Sequence, residues 1–315
     1  MGFPDPRPVP QPTGRPRLGR NALTAAAFVG PASLFLLVTL GYPIAYLMFH
    51  SLFNENFARP ELGSQFIFLG NYATLLGDPR FWNSVRVTAI FVVCAVGVEL
   101  LIGLGIALLL QRVRHGRRAL VALLLIPSMM MPIAVGLMWR YMLDDSYGMI
   151  AFYLKAIHLL GPGGLIVDPL LVRPLTALAS LIVVDVWEWT PFMALILYAG
   201  LESLPGEPFE AAIVDGASPS QMFRFITIPL LRRAVAVAVL IRMADALRVL
   251  DIVFSMTNGG PGTSTETLQL YSYNLGFGAF DTGLAFAQVA LVIAATLVIS
   301  RFVYGAIVRQ QEPLA

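Results

Sequence analysis

The chain has 315 residues, 57% of them hydrophobic and only 13% charged. Soluble domains carry roughly 25% charged residues, so a globule coated by charge is excluded and the composition is that of an integral membrane protein. A formal net charge of +2 provides no global field for a nucleic-acid partner. The single cysteine, Cys94, sits in an apolar run and can build neither a disulfide framework nor a cysteine-based metal site.

In chain order, residues 1–20 are rich in Pro and Arg without apolar periodicity and read as a disordered basic tail. The uncharged run from Asn21 to Asn54 far exceeds the ~7–15-residue core of a signal peptide, so it is read as a retained first span. A spanning helix needs about 20 mostly apolar residues. Six stretches qualify, near 24–52, 86–111, 119–142, 174–200, 230–257 and 282–308. Strand alternation is absent, which argues against a barrel. The expected architecture is all-α, a polytopic membrane protein of six transmembrane helices in one domain, 21–315.

The cations set the orientation. Arg7, Arg15, Arg17 and Arg20 precede span one, and Arg112, Arg114, Arg117 and Arg118 fill the loop between spans two and three. Arg224, Arg232 and Arg233 follow span four, and Arg301 and Arg309 lie near the C-terminus. These make thirteen of the 21 Lys and Arg on one side, so both termini are expected in the cytoplasm. On the outside, "NYATLLGDPRFWNSV" reads as an interfacial helix, a turn at Asp78-Pro79 and aromatic anchors Phe81 and Trp82, or else as a plain connector. "SMTNGGPGTSTETLQLYSYNLGF" reads as a Gly/Pro/Thr loop able to meet an extracytoplasmic partner.

Charge inside a span is a functional hypothesis by default. Span five carries Arg242, Asp245, Arg248 and Asp251, which cost on the order of 10 kcal/mol near the bilayer centre against about 5 returned by the surrounding apolar residues. This helix cannot face lipid all round. At three-residue steps the charges alternate in sign, which suits either a ladder of salt bridges or a polar lining for a translocation path. Span four carries Asp185, Trp187, Glu188 and Trp189. Aromatics beside carboxylates suit sugars, and they equally suit an interfacial aromatic belt. Glu99 in span two and Gln288 in span six read as packing glue. No nucleophile elbow or metal-ligand cluster occurs, and His50, His115 and His158 are far apart in sequence.

One cytoplasmic segment, "EAAIVDGASPSQMFRFITIPLL" from Glu210, does not belong to its greasy surroundings. Phe209, Ala212 and Ile213 form one helical face, and Gly216 ends that helix at a residue free to take positive φ. Ser218 then serves as N-cap, Pro219 as first helical residue and Gln221 as the return arm of a capping box. Met222, Phe223 and Ile226 give the second helix an apolar side, and Pro229 marks the start of span five. Two short helices at an angle, about 207–228, form a device to be gripped from the cytoplasm.

Glu210-Ala211-Ala212, Gly216, Ile226, Ile228 and Pro229 resemble the "EAA loop" of ABC-importer membrane subunits. "FLGNYATLLGDPRFWNSV", "IPSMMMPIAVGLMWRYMLDD", "DVWEWTPFMALILYAGLESLP" and "TNGGPGTSTETLQLY" extend the resemblance over roughly residues 30 to 300, to the sugar permeases of the maltose and glycerol-phosphate class. The external loops are short, so the large extra domain of some maltose-type subunits is missing. The resemblance implies a bacterial inner-membrane permease subunit that forms half of the path for a carbohydrate or related polyol. Its loop, through Glu210, Ala211, Ala212, Asp215, Gly216 and Ser218, would dock on a separate ATPase. The implied partners are a second homologous permease subunit, two ATPase subunits binding ATP and Mg, an extracytoplasmic substrate-binding protein, the sugar and membrane lipid. Trp187, Glu188, Arg242, Asp245, Arg248 and Asp251 are the candidates along the path. No cofactor is expected in this chain: a P-loop needs Gly-Lys-Ser/Thr, and the only lysine, Lys155, lies in "FYLKAIH" on the outside. The rival reading is a six-span secondary transporter or channel driven by an ion gradient, and a membrane-embedded enzyme is a third.

Overall fold

The structure, a computed structural model, describes residues 28–308. The basic tail 1–20 and the end beyond 308 lie outside the described residues. The chain divides into two compact units, one ending at His50 and the other beginning at Ser51. The first contributes one uncharged apolar helix, α1 (Phe28–His50), with a π-helical stretch at Leu37–Gly41.

The second unit opens with a two-residue antiparallel ladder, β1 (Phe53–Asn54) with β2 (Gln65–Phe66), in which Phe53 faces Phe66. A short helix α2 (Gly70–Gly77) leads to Asp78, whose side chain accepts from the Arg80 amide and caps α3 (Pro79–Arg112). The long apolar helices that follow are α7 (Pro174–Glu202) and α13 (Thr282–Val308). With α1 and α3 these are four helices long and apolar enough to cross a membrane. Helix α3 packs along α7, and α10 (Ile228–Ala246) packs against both and against α13. Phe91, Leu181, Met193, Leu197 and Leu231 are buried where these helices meet.

Two of the six expected spans are not single helices. The stretch 119–142 is α4 (Arg117–Leu125), a 3-10 turn at Pro127–Met129 and α5 (Pro132–Met142). Pro127 and Pro132 explain the break: each lacks an amide hydrogen and clashes with the carbonyl four residues earlier. The stretch 230–257 is α10 and a separate α11 (Asp251–Met256), interrupted at 247–250 without proline or glycine. Here the charges choose the ends. Arg248 donates from Nε to the Ala244 carbonyl at 3.1 Å, beside the C-terminus of α10, and Asp251 occupies the first turn of α11. Both positions match the helix dipole.

The end of the unit that carries α2 is more ordered than the sequence suggested. Phe81 is not an interfacial anchor but a core residue, buried with Leu75, Tyr271 and Ala287, whereas Trp82 is exposed. The Gly/Pro/Thr segment folds back on the start of α3: Glu266, 2% exposed, accepts two hydrogen bonds from Arg80 at 2.7 Å each. Asn274 adds a third at 2.8 Å. The Tyr271 hydroxyl, on α12 (Leu268–Tyr273), donates to Asp78 at 2.6 Å. Burial, with that hydrogen bond, holds this phenol above its ordinary range. Helix α6 (Met149–Ala156) lies in the connection between α5 and α7.

Candidate functional site

The loop after α7 has the geometry its residues dictate. Helix α8 (Glu207–Val214) carries Glu207 and Glu210 in its first turn, where the dipole favours acids. It closes in a Schellman motif: the Gly216 amide donates to Ile213 at 3.1 Å and the Ala217 amide to Ala212 at 2.9 Å. Gly216 has φ +74, the left-handed region that a Cβ resists. The Ser218 hydroxyl then accepts from the Gln221 amide at 3.3 Å while Gln221 accepts from the Ser218 amide at 2.7 Å. This capping box opens α9 (Pro219–Met222).

The second helix is not the separate short element expected. From α9 the chain runs on through a π-helical turn, Phe223–Thr227, directly into α10. The π turn lies just ahead of Pro229, whose missing donor would break a regular ladder there. Glu210, Ala211, Asp215, Gly216 and Ser218 are exposed and Ala212 is half-buried. Ile213, Val214 and Phe225 are exposed too, Val214 by 87%. Large apolar side chains on a capped, rigid loop fit a protein interface.

The second constellation is buried between α3, α7 and α10. Arg242, 1% exposed, donates from Nε and Nη2 to Glu99 at 2.7 and 2.8 Å. It also donates from Nη2 to Asp185 and from Nη1 to Asp245, both at 2.7 Å. Its guanidinium carbon lies 4.9 Å from the ring centroid of Trp189. Three carboxylates and an indole around one guanidinium satisfy the fork that only arginine offers. Glu99 and Asp185 are sealed, at 0% and 2% exposure, and Asp245 is 46% exposed. Its open side borders a cavity of about 90 Å³ lined also by Asp185, Trp189, Arg248 and Asp251, at the break between α10 and α11.

The six path candidates therefore separate. Arg242 and Asp245 pair directly, and Asp245, Arg248 and Asp251 share the cavity. The full ladder does not form: among the described residues Arg248 and Asp251 enter no ion pair. Glu188 is buried next to Trp189, and neither of its carboxylate oxygens has a hydrogen-bond partner among the described residues. Trp187 packs edge-on to Trp139, with ring centroids 5.5 Å apart, and does not line the cavity; Trp189 does. Gln288 is the packing residue it was expected to be, donating to the Leu268 carbonyl at 2.9 Å. Glu99 is not; it is the main partner of Arg242. A signal existed, since an acid inside one span must find a cation, and Arg242 and Arg248 lie well away from the ends of another. No group of three or more potential metal ligands occurs among the described residues.

A polytopic helical subunit with one capped, exposed loop and charge gathered inside the bundle is the form of a transport component. Residues 99–312 match the family described as the binding-protein-dependent transport system inner membrane component, and the chain belongs to that family. It is 37% identical over 278 residues to a probable ABC transporter permease protein of Sinorhizobium fredii, covering 88% of this chain and 87% of that one. It is 35% identical over 284 residues to the trehalose/maltose transport system permease protein of Thermococcus litoralis, covering 89% and 93%. The fold matches a crystal structure of a bacterial alginate ABC transporter in complex with an alginate pentasaccharide-bound periplasmic protein. There the TM-score is 0.72 at 21% identity, over 94% of this chain and 97% of that one. The protein is thus a multi-pass membrane permease of an importer and not itself an enzyme, and the ion-gradient alternative falls.

Proposed function

We propose that the chain forms half of the translocation path for a carbohydrate or related polyol and couples it to separate ATPase subunits. It pairs with a second homologous permease subunit and receives substrate from an extracytoplasmic binding protein. ATP and Mg are bound by the two ATPase partners and no cofactor by this chain. Support for the substrate comes from the trehalose/maltose relative and the alginate-transporter fold. The observation that carries the coupling role is the loop 207–228: two capped turns, a glycine at positive φ, and exposed Ile213, Val214 and Phe225. The polar cavity at the α10–α11 break is the candidate contact with hydroxyl groups.

In this reading the broken segments α4–α5 and α10–α11 each complete a crossing, giving six spans with both termini in the cytoplasm. Tags at either terminus and in 111–118 are then accessible from the cytoplasm, and tags near 61–65 and 161–164 from outside; an external C-terminus would overturn the six-crossing topology. The functional test is uptake by right-side-out vesicles, loaded with ATP, of the sugar carried by the cognate binding protein. Gly216→Val leaves the subunit folded and assembled but abolishes uptake, because a β-branched residue resists φ +74. Wild-type uptake and ATPase activity in Gly216→Val would refute the coupling role of the loop.

A further inference from the structure

Arg117 gathers three elements at the end of the α3–α7 pair that leads into the loop. Its Nε donates to the carbonyl of Val113, the C-cap of α3, at 3.1 Å. Its Nη1 donates to the Tyr198 hydroxyl, and the guanidinium carbon sits 5.6 Å from the centroid of that ring. The same Nη1 lies 3.7 Å from Glu202, the last residue of α7. Arg117 is itself the first residue of α4. The opposite side of this last turn is also held: a Cβ on Gly200 would come within 2.4 Å of the Ala234 side chain on α10, so α7 and α10 touch there. Only Ser203–Gly206 separates this turn from α8.

Stability alone does not account for the arrangement. The side chains of Arg117 and Glu202 are 36% and 47% exposed, and an ion pair so solvated contributes about 0–1 kcal/mol. What the guanidinium supplies is geometry, since its rigid planar fork holds a carbonyl, a hydroxyl and a carboxylate in fixed, spread directions, whereas the donors of an ammonium radiate from one rotatable nitrogen. We propose that Arg117 is a positioning residue that ties the last turn of α7, where the loop begins, to the ends of α3 and α4, so that movement passed from the loop through Ser203–Gly206 reaches these helices as one body. The proposal rests on the coupling reading of the loop.

The experiment uses the full complex co-purified with its own ATPase subunits. Cys94 is replaced by Ser, and spin labels are placed at Ala199→Cys near the end of α7 and Leu120→Cys on α4, both exposed positions outside the docking surface. In the otherwise wild-type chain the α4–α7 distance stays constant between the nucleotide-free and the ATP·Mg·vanadate states. In Arg117→Ala it becomes nucleotide-dependent, while the complex still assembles and hydrolyses ATP. Arg117→Lys keeps the charge but not the fork and behaves like the alanine variant, and Tyr198→Phe, which keeps the ring, falls between. A wild-type distance that changes with nucleotide, or a constant one in Arg117→Ala, overturns the proposal. Should Arg117→Ala fail to assemble, Arg117→Lys and Tyr198→Phe decide alone. Cross-linking of Val214→Cys to an ATPase subunit reports separately on the loop: its absence sinks the coupling reading, and its presence with unchanged distances sinks only the role of Arg117.

Discussion

Two arginines bind helix α3 to helix α7, and they do so under opposite conditions. Arg242 is sealed in the bundle with Glu99 and Asp185, and its contacts to these two are charge-assisted and dry. Arg117 sits at the rim, half in solvent, with one carbonyl, one hydroxyl and one loosely held carboxylate. The first contact set is costly to disturb because stranding a buried charge is costly. The second is cheap to remove because water replaces what is lost. A third pair lies between them: Arg80 is 48% exposed, yet its partner Glu266 is 2% exposed. The number of sealed partners grades the three: arginine and carboxylates are both buried at Arg242, the carboxylate alone at Arg80, and neither at Arg117.

That grading can be broken by measurement. Arg242→Met strands Glu99 and Asp185, and we expect a loss of about 3–5 kcal/mol, read as a collapse in the yield of folded, detergent-solubilised subunit. Replacing Glu99 and Asp185 by Leu in the same chain recovers much of that yield; full yield from Arg242→Met alone would show that the cluster is not held by its charges. Arg80→Met leaves Glu266 buried with only Asn274, at about 1.5–3 kcal/mol, read as protease sensitivity in 257–267; an unchanged digestion pattern would remove this pair from the series. Arg117→Met costs under about 1 kcal/mol in thermal unfolding, and a larger loss would erase the contrast with Arg242. The smallest effect is the coupling between Asp245→Leu and Arg248→Met in a double-mutant cycle of stability. With no ion pair between them it stays within about 0.5 kcal/mol, whereas the Arg242/Asp245 cycle exceeds it.

The loop was legible residue by residue. Gly216, Ser218, Pro219 and Gln221 act through contacts within four residues, and local chemistry of that kind survives tertiary context. The cluster was legible only in part. Arg242 and Asp245 stand three residues apart, and their pairing follows from helical spacing. Glu99 is 143 residues from Arg242, and no local pattern joins them. The break in α4–α5 was written in Pro127 and Pro132, and an apolar window long enough to span concealed it. The break at 247–250 carries no such mark; it depends on where Arg248 and Asp251 find helix ends. Phe81 was read as an anchor because it neighbours Trp82, although successive helical residues point some 100° apart, and one of the two faces Tyr271.

The π turn at Phe223–Thr227 joins the loop to α10 without interrupting the rod. A π turn holds one residue more than the α-helical turn it replaces, so everything before it is rotated by about 100° relative to an unbroken α-helix. The orientation of the loop about the axis of α10 is therefore set by the presence of a single residue, independently of the packing of α10 on α3, α7 and α13. A one-residue deletion there would re-phase Ser218 and α8 while leaving the buried face of α10 in register. Insertions and deletions at this point would re-aim the loop without rebuilding the helical core.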